Sequence, residues 1–491
     1  MQLSDIDASI RANARNVDGT YHPAFHLAPP TGWINDPNGF TVYKGRVHVF
    51  CQYYPYDAVW GLMHWGHWAS EDLLHWEWLP LALAADRPFD DQGCFSGTAL
   101  ETDGKLTLMY TGVHKDAVGD LIEEQCIAQS EDGKHFVKWA ENPVISAKDL
   151  PVDGQPKDFR DPKLMRTTEG YRALIANRSP DKGRLLMYSS RDLHTWHCDG
   201  ALVDDLSEMP ECPDYFQLGG KDCLITCLMN QPMQEYRFQN GHHAVVYLLG
   251  REENGVLTPE VMESIDLGPD FYAPETTQLP DGRRVMIGWM QMWGEDAPTH
   301  YLGHGWSGQY TLIRELSLRN GRLYQQPLRE LQALRGKAFQ LENLAVDGTM
   351  MPQGLRARHC EIDTTLLLPK DGKAEIRLLG TAEEYFAIRY DAATRVLSTD
   401  RSQCGYTMAA NDEPERKPAG YAQLAGGGNR IRLQIFVDTS SVEVFADDGV
   451  IAMSTLAFPK GSAEEISFAG QFTVERLTRW ELSVPGGAFT R

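Results

Sequence analysis

"ASEDLLHW" at residues 69–76 returns sixty positions later as "QSEDGKHF" (129–136), and sixty later again as "SSRDLHTW" (189–196). Each stretch holds a serine, an aspartate two residues on and an aromatic four beyond that. They are Ser70, Asp72 and Trp76, then Ser130, Asp132 and Phe136, then Ser190, Asp192 and Trp196. Two equal offsets in succession point to an internal repeat. Around these marks lie short β-branched and aromatic runs bounded by Gly, Asp and Pro, among them "RVHVFCQYY", "KLTLMYTG", "YRALIAN", "DCLITCLM" and "RRVMIGWM". Such runs read as strands. A unit of this length holding several strands reads as a blade of a β-propeller.

A second series sets the number of blades. "NDPNGF", "CFSGTA", "FRDPKL", "ECPDYF" and "YAPETT" begin at residues 35, 94, 159, 211 and 272. Their spacing is close to one blade each, so residues 25–325 are expected to form five blades after a lead-in over 1–24. If each segment feeds the innermost strand of its blade, Asp36, Asp161 and Glu211 meet at the central channel.

The composition changes after residue 325. Eleven of the twelve tryptophans lie at or before Trp306, and only Trp480 follows. "QQPLRELQALRGKAF" reads as a short helical connector within a linker over 326–349. From 350 to 491, runs such as "KAEIRLLG" and "NRIRLQIFVDTSSVEVF" alternate apolar and polar residues. That period marks half-buried antiparallel strands, and the expected architecture is all-β, a five-bladed propeller followed by a β-sandwich. The acidic, glycine-rich stretch 410–428 reads as an exposed loop.

Whole-chain properties narrow the function. A formal charge of −22 over 491 residues argues against nucleic acid or an anionic membrane surface as partner. The first twenty residues lack an apolar core flanked by basic residues, and no run of 18 apolar residues occurs, so a cytoplasmic location is expected. Nine scattered cysteines suit reduced thiols rather than a disulfide framework. His64 and His67 in "HWGH" have ligand-like spacing, but their strand-like surroundings and the absence of a third ligand favour a structural role.

Asp36 and Asp161 each precede a proline, which favours extended backbone and a stiff presentation of the carboxylate. Paired carboxylates are what glycoside hydrolysis requires: one attacks or activates water, the other protonates the leaving oxygen. Any single acid among 68 is more often a solvated surface group, so the Asp-Pro pairs alone decide nothing.

The ordered set "GWINDPNG", "CFSGTA", "FRDP", "ECPD", "DFYAP" and "IGWM" resembles the signature series of glycoside hydrolase family 32, the β-fructofuranosidases. "IFVDTSSVEVF" and the triplet Asp400-Arg401-Ser402 resemble that family's C-terminal sandwich, so the likeness spans about residues 20–485. It implies that Asp36 is the nucleophile, Glu211 the acid and then the base, and Asp161 the transition-state stabiliser. It also implies retention of configuration, with the two catalytic carboxyls about 5–5.5 Å apart. Asn35, Gln52, Trp60, Phe95, Ser96 and Arg160 match positions lining the fructose pocket, and Trp60 and Trp293 offer aromatic faces to a sugar.

Sucrose is the first expected substrate, with sucrose 6-phosphate or short fructo-oligosaccharides as alternatives; neither metal nor organic cofactor is implied. Glu275 departs from the Gln or Lys many relatives carry there. It is expected near the substrate, where its charge would disfavour a phosphate ester. Two rival readings are a non-catalytic fructan-binding propeller and an inverting glycosidase, whose carboxyls would stand about 6.5–9.5 Å apart.

Overall fold

A computed structural model describes residues 3–240, 243–381, 383–410, 417–425 and 428–483. They form five sheets of four antiparallel strands, one large folded sheet after them, and a two-stranded pairing of Glu295–Asp296 with Ala409–Ala410. The innermost strands of the five blades are Gly32–Tyr43, Gly93–Thr102, Phe159–Thr167, Met209–Leu218 and Tyr272–Gln278. Each contains the segment expected to open it, and each flanks the next around the ring, the fifth flanking the first. Gly32–Tyr43 is buried on both faces along almost its whole length, as a strand packed between two neighbouring blades must be. The ring is closed by Trp306–Ser307, which leaves the fifth blade to pair in parallel with Gly32 and Trp33.

The sixty-residue repeat is a turn between the third and fourth strands of the first three blades. The Ser70, Ser130 and Ser190 hydroxyls accept the backbone N–H groups of Leu73, Gly133 and Leu193 at 2.8–2.9 Å. Those three residues have φ of +66°, +74° and +67°. Asp72, Asp132 and Asp192 accept the next two N–H groups of the turn. Short polar side chains capping nearby backbone in this way is the chemistry that makes Ser and Asp turn residues.

Two expectations about the connections are corrected. Arg329–Leu334 is a short 3-10 helix, but Arg335–Met350 is a sixteen-residue strand of the second domain, not a linker. Most of its side chains are exposed or half-buried, so it lacks the alternation that reveals a one-sided strand. Within 410–428, Ala419–Gln423 is a strand paired with Val396–Asp400, while 411–416 and 426–427 lie outside the described residues. The lead-in holds a helix, Leu3–Asn13, which buries Ile6 and Ile10 against the propeller.

The second domain is organised by its last strand, Glu465–Leu482. One edge pairs with Arg335–Met350; the other pairs first with Lys373–Gly380 and then with Cys360–Leu367. Two leaves therefore grow from one strand and close over a shared core that includes Ile376, Ile388, Ile435 and Val444, making the sandwich.

Charged side chains bury themselves between the two domains. His26, 2% exposed, places Nδ1 2.7 Å from Asp438 and Nε2 2.9 Å from Glu443. Burial alone would lower the imidazole's pKa, but hydrogen bonds and charge from both carboxylates outweigh it and push it up to about 9. A group whose folded-state pKa is raised stabilises fully below its ordinary value near 6.5, and the contribution fades as pH climbs through 9. The difference is about 3 kcal/mol. Thermal unfolding followed from pH 6.5 to 9.5 should show the midpoint falling, and His26→Gln should start lower and flatten that fall. Parallel profiles for the two proteins would refute the assignment.

Candidate active site

Every innermost strand carries an extra residue in the segment that opens it, and Gly32–Tyr43 carries a second between Asn38 and Thr41. Pairing with the neighbouring strand steps by one between Ile34 and Pro37, Phe95 and Gly97, Arg160 and Lys163, Glu211 and Asp214, and Tyr272 and Glu275. Such bulges bend a strand and redirect its side chains. The five in the opening segments aim a ring of groups into the end of the channel. Asp161, Cys212 and Ala273 adopt φ of +61°, +47° and +47°, each just before a proline. The extended backbone expected for Asp161 is thus corrected: the bulge holds it in a left-handed conformation that non-glycine residues adopt at a cost.

Asp36, 8% exposed, accepts hydrogen bonds from Ser96 Oγ at 2.6 Å and Asn35 Nδ2 at 3.1 Å. The Asn35 amide oxygen is in turn fixed by the Trp33 indole N–H at 2.9 Å, and Tyr310 donates to the Asp36 carbonyl at 3.0 Å. Glu211 is gripped at both oxygens, by Arg160 Nη2 at 2.9 Å and Tyr272 OH at 2.6 Å. Asp161 accepts the Cys212 N–H at 2.9 Å, while its own N–H donates to Thr111 Oγ1 at 3.0 Å. The Cys212 thiol stands between the two aspartates, 3.5 Å from Asp36 and 3.7 Å from Asp161.

Electrostatics follow from three neighbouring acids and the Arg160 guanidinium, which acts on Glu211 and Asp161. Burial raises the Asp36 carboxyl, opposed by its bonds to Ser96 and Asn35 and reinforced by the charge of Glu211. Asp161 is pushed up to about 7 by burial, with Arg160 pulling it down and Glu211 and Asp36 pushing it up. Behind Arg160 lies Glu123, itself raised to about 7 by burial, 3.4 Å from the guanidinium and bonded to the Phe159 N–H at 2.8 Å. The site therefore holds two carboxylates with donors on both oxygens, Asp36 from Asn35 and Ser96 and Glu211 from Arg160 and Tyr272, beside Asp161 and Glu123, whose carboxyls burial raises.

The remaining sequence candidates divide. Trp60, 49% exposed, meets Phe95 edge-on at 6.1 Å, and Trp293 stacks near Trp33 at 6.5 Å. Gln52 is buried on the second strand of the first blade, donating to the Cys94 carbonyl at 3.2 Å. Glu275 is not with the acids. It accepts the Phe40 N–H at 2.8 Å and faces Lys163 at 3.6 Å, one layer further along the channel. The bulge after Tyr272 sends the Tyr272 hydroxyl to the acids and Glu275 below them. His67 pairs with His48 at 2.9 Å and stacks on Phe50, inside the blade.

Sequence reasoning missed Tyr272, Thr111, Tyr310 and Glu123, and used Cys212 only as a neighbour. Tyr272 lies within a segment already singled out, beside an acid-bearing strand; that position was the available signal.

A ring of strands aiming carboxylates into the end of its channel is the arrangement of a propeller glycosidase. Residues 26–327 match the glycosyl hydrolases family 32 N-terminal domain and residues 330–481 the family 32 C-terminal domain, so the chain belongs to glycoside hydrolase family 32. Its activity is hydrolysis of β-fructofuranosides. It is 34% identical to the sucrose-6-phosphate hydrolase of Zymomonas mobilis, covering 97% of this chain and 95% of that one. It is 35% identical to a raffinose invertase of Escherichia coli, covering 95% of each. Among solved structures it matches the sucrose-6-phosphate hydrolase of Lactobacillus gasseri with a TM-score of 0.86 and 28% identity, over 97% of this chain and 96% of that one.

Proposed function

We propose that the chain is a retaining sucrose-6-phosphate hydrolase in which Asp36 attacks the anomeric carbon of the fructosyl unit. Glu211 protonates the departing glycosidic oxygen, leaving a fructosyl ester on Asp36; Glu211 then takes a proton from water, which displaces Asp36. Asp161 hydrogen-bonds the sugar as positive charge develops. The observation that carries this reading is the contrast between two carboxyls. Asp36 accepts from Ser96 and Asn35 in the bulge, whereas Glu211 is turned by Arg160 and Tyr272.

The choice of phosphate ester over sucrose rests on the relatives, which reverse the order expected from sequence. The like-charge argument from Glu275 does not stand against it, because that carboxyl is buried beside Lys163 rather than at the open side. Sucrose remains the second reading, favoured by the similarity to a raffinose invertase. A phosphorylated disaccharide does not cross a bilayer unaided, and all nine cysteines are unpaired, both of which suit a cytoplasmic enzyme.

Initial rates on the two substrates decide between them. A kcat/KM at least tenfold higher for sucrose 6-phosphate is expected, about 1.4 kcal/mol of transition-state discrimination. Equal or lower values would make the protein an invertase. NMR of the first-formed fructose should reveal the β-anomer; the α-anomer would mean inversion.

A further inference from the structure

Below the acids lies a second, separate polar layer in the channel. Glu275 in the fifth blade accepts the Phe40 N–H of the first at 2.8 Å. Its other oxygen is 3.6 Å from Lys163 Nζ of the third, and Lys163 is 3.0 Å from Asp214 of the fourth. The second Asp214 oxygen accepts the Thr276 N–H, returning to the fifth blade. Thr98 joins the second blade to the third, donating to the Pro162 carbonyl at 3.0 Å and accepting the Leu164 N–H at 2.8 Å. All five innermost strands are thereby bonded to one another at this level.

The layer sits directly under the acids in sequence as well as in space. Phe40 follows Asp36 by four residues, Lys163 follows Asp161 by two and Asp214 follows Glu211 by three. Glu275 is 6% exposed, Lys163 9% and Asp214 1%. Between the layers is a cavity of about 20 Å³ lined by Ser96, Asp161, Cys212 and Glu275 among others, room for about one water. Glu275 shares this cavity with Asp161, but among the described residues it makes no hydrogen bond to Asp36, Asp161 or Glu211.

We propose that Glu275 is a positioning residue: with Lys163 and Asp214 it ties the innermost strands together beneath the bulges and so sets the spacing of Asp36, Asp161 and Glu211. This inference rests on the roles given to those acids above. One buried ammonium faces two carboxyls here, and burial pushes Glu275 up to about 8, against the pull of Lys163. Glutamine keeps a side-chain oxygen to accept the Phe40 N–H and is the closest substitute for Glu275.

The test compares Glu275→Leu, Glu275→Gln and Lys163→Met in steady-state kinetics on sucrose 6-phosphate and sucrose. Glu275→Leu removes the acceptor for Phe40 and should lower kcat on the order of 10²-fold, with KM changed by no more than about threefold, because displaced acids spoil the reacting geometry more than binding. Glu275→Gln keeps that acceptor and should recover kcat to within about threefold of the parent. Lys163→Met should repeat the loss in kcat, which keeps the proposal testable if Glu275→Leu does not fold. An unchanged kcat in either Glu275→Leu or Lys163→Met overturns the proposal, as does a loss in Glu275→Gln equal to that in Glu275→Leu. A parent protein inactive on every β-fructoside would instead refute the proposed function.

Discussion

Asp36→Asn is expected to lower kcat by roughly 10⁴-fold or more, the scale on which removing a covalent nucleophile acts. The substitution keeps the shape of the side chain, but the amide has one oxygen where the carboxylate has two. Three donors converge on that carboxylate: Ser96, Asn35 and the Cys212 thiol. An amide NH₂ facing Ser96 and Cys212 leaves those donors without an acceptor, yet it also removes a buried charge. Stability should therefore hold or rise while turnover vanishes, and that separation distinguishes a nucleophile from a structural acid. Glu211→Gln should fall by roughly 10²–10⁴-fold on sucrose, as loss of a general acid does. On an aryl fructoside, whose leaving group needs no proton, the first step should be largely spared in Glu211→Gln. Asp36→Asn should remain inactive on both. Equal losses on the two substrates in Glu211→Gln would sink the assignment of Glu211 as the acid.

What could be read from the sequence was what depends on neighbours in the chain. The Ser70, Ser130 and Ser190 turns are closed by bonds spanning two or three residues, so their pattern survives as a visible repeat. The order of the acid-bearing segments was legible for a related reason, since each opens the first strand of a blade. The bulges were not, because a register step is a relation between two strands and neither strand records it alone. This is why Asp161 was expected in extended backbone, and why Glu275 was expected beside substrate when its carboxyl lies a layer below. Tyr272 and Glu275 are three residues apart across the same bulge, and only the extra residue decides which of them meets Glu211. Arg335–Met350 failed in another way. Its partner strand begins more than a hundred residues later, and its polar, exposed faces carry no period of their own.

The joint between the domains predicts the largest stability effect in the molecule. Arg314, fully buried in the propeller's fifth blade, sends Nη1 to Asp266 at 2.8 Å and Gln325 at 2.9 Å, and Nη2 to Glu443 of the sandwich at 2.6 Å. Phe271 and Phe445 lie against its guanidinium at 5.1 and 5.2 Å. Its bonds make the fork geometry of arginine necessary here, and a lysine point charge cannot reach all four partners, which include Ser454. Arg314→Met fills the volume but strands two buried carboxylates, a change that costs roughly 3–5 kcal/mol. Glu443 keeps His26 and the Leu312 N–H, whereas Asp266 keeps only hydrogen bonds from Ser454 and the Gly268 N–H. Pairing Arg314→Met with Asp266→Asn should therefore recover part of the loss, and the double-mutant cycle should give a coupling of about 1–3 kcal/mol in urea unfolding. Arg314→Lys should fall between the parent and Arg314→Met. Strict additivity in that cycle would mean the ion pair contributes nothing beyond packing, and the two domains would then be held by their apolar contacts alone.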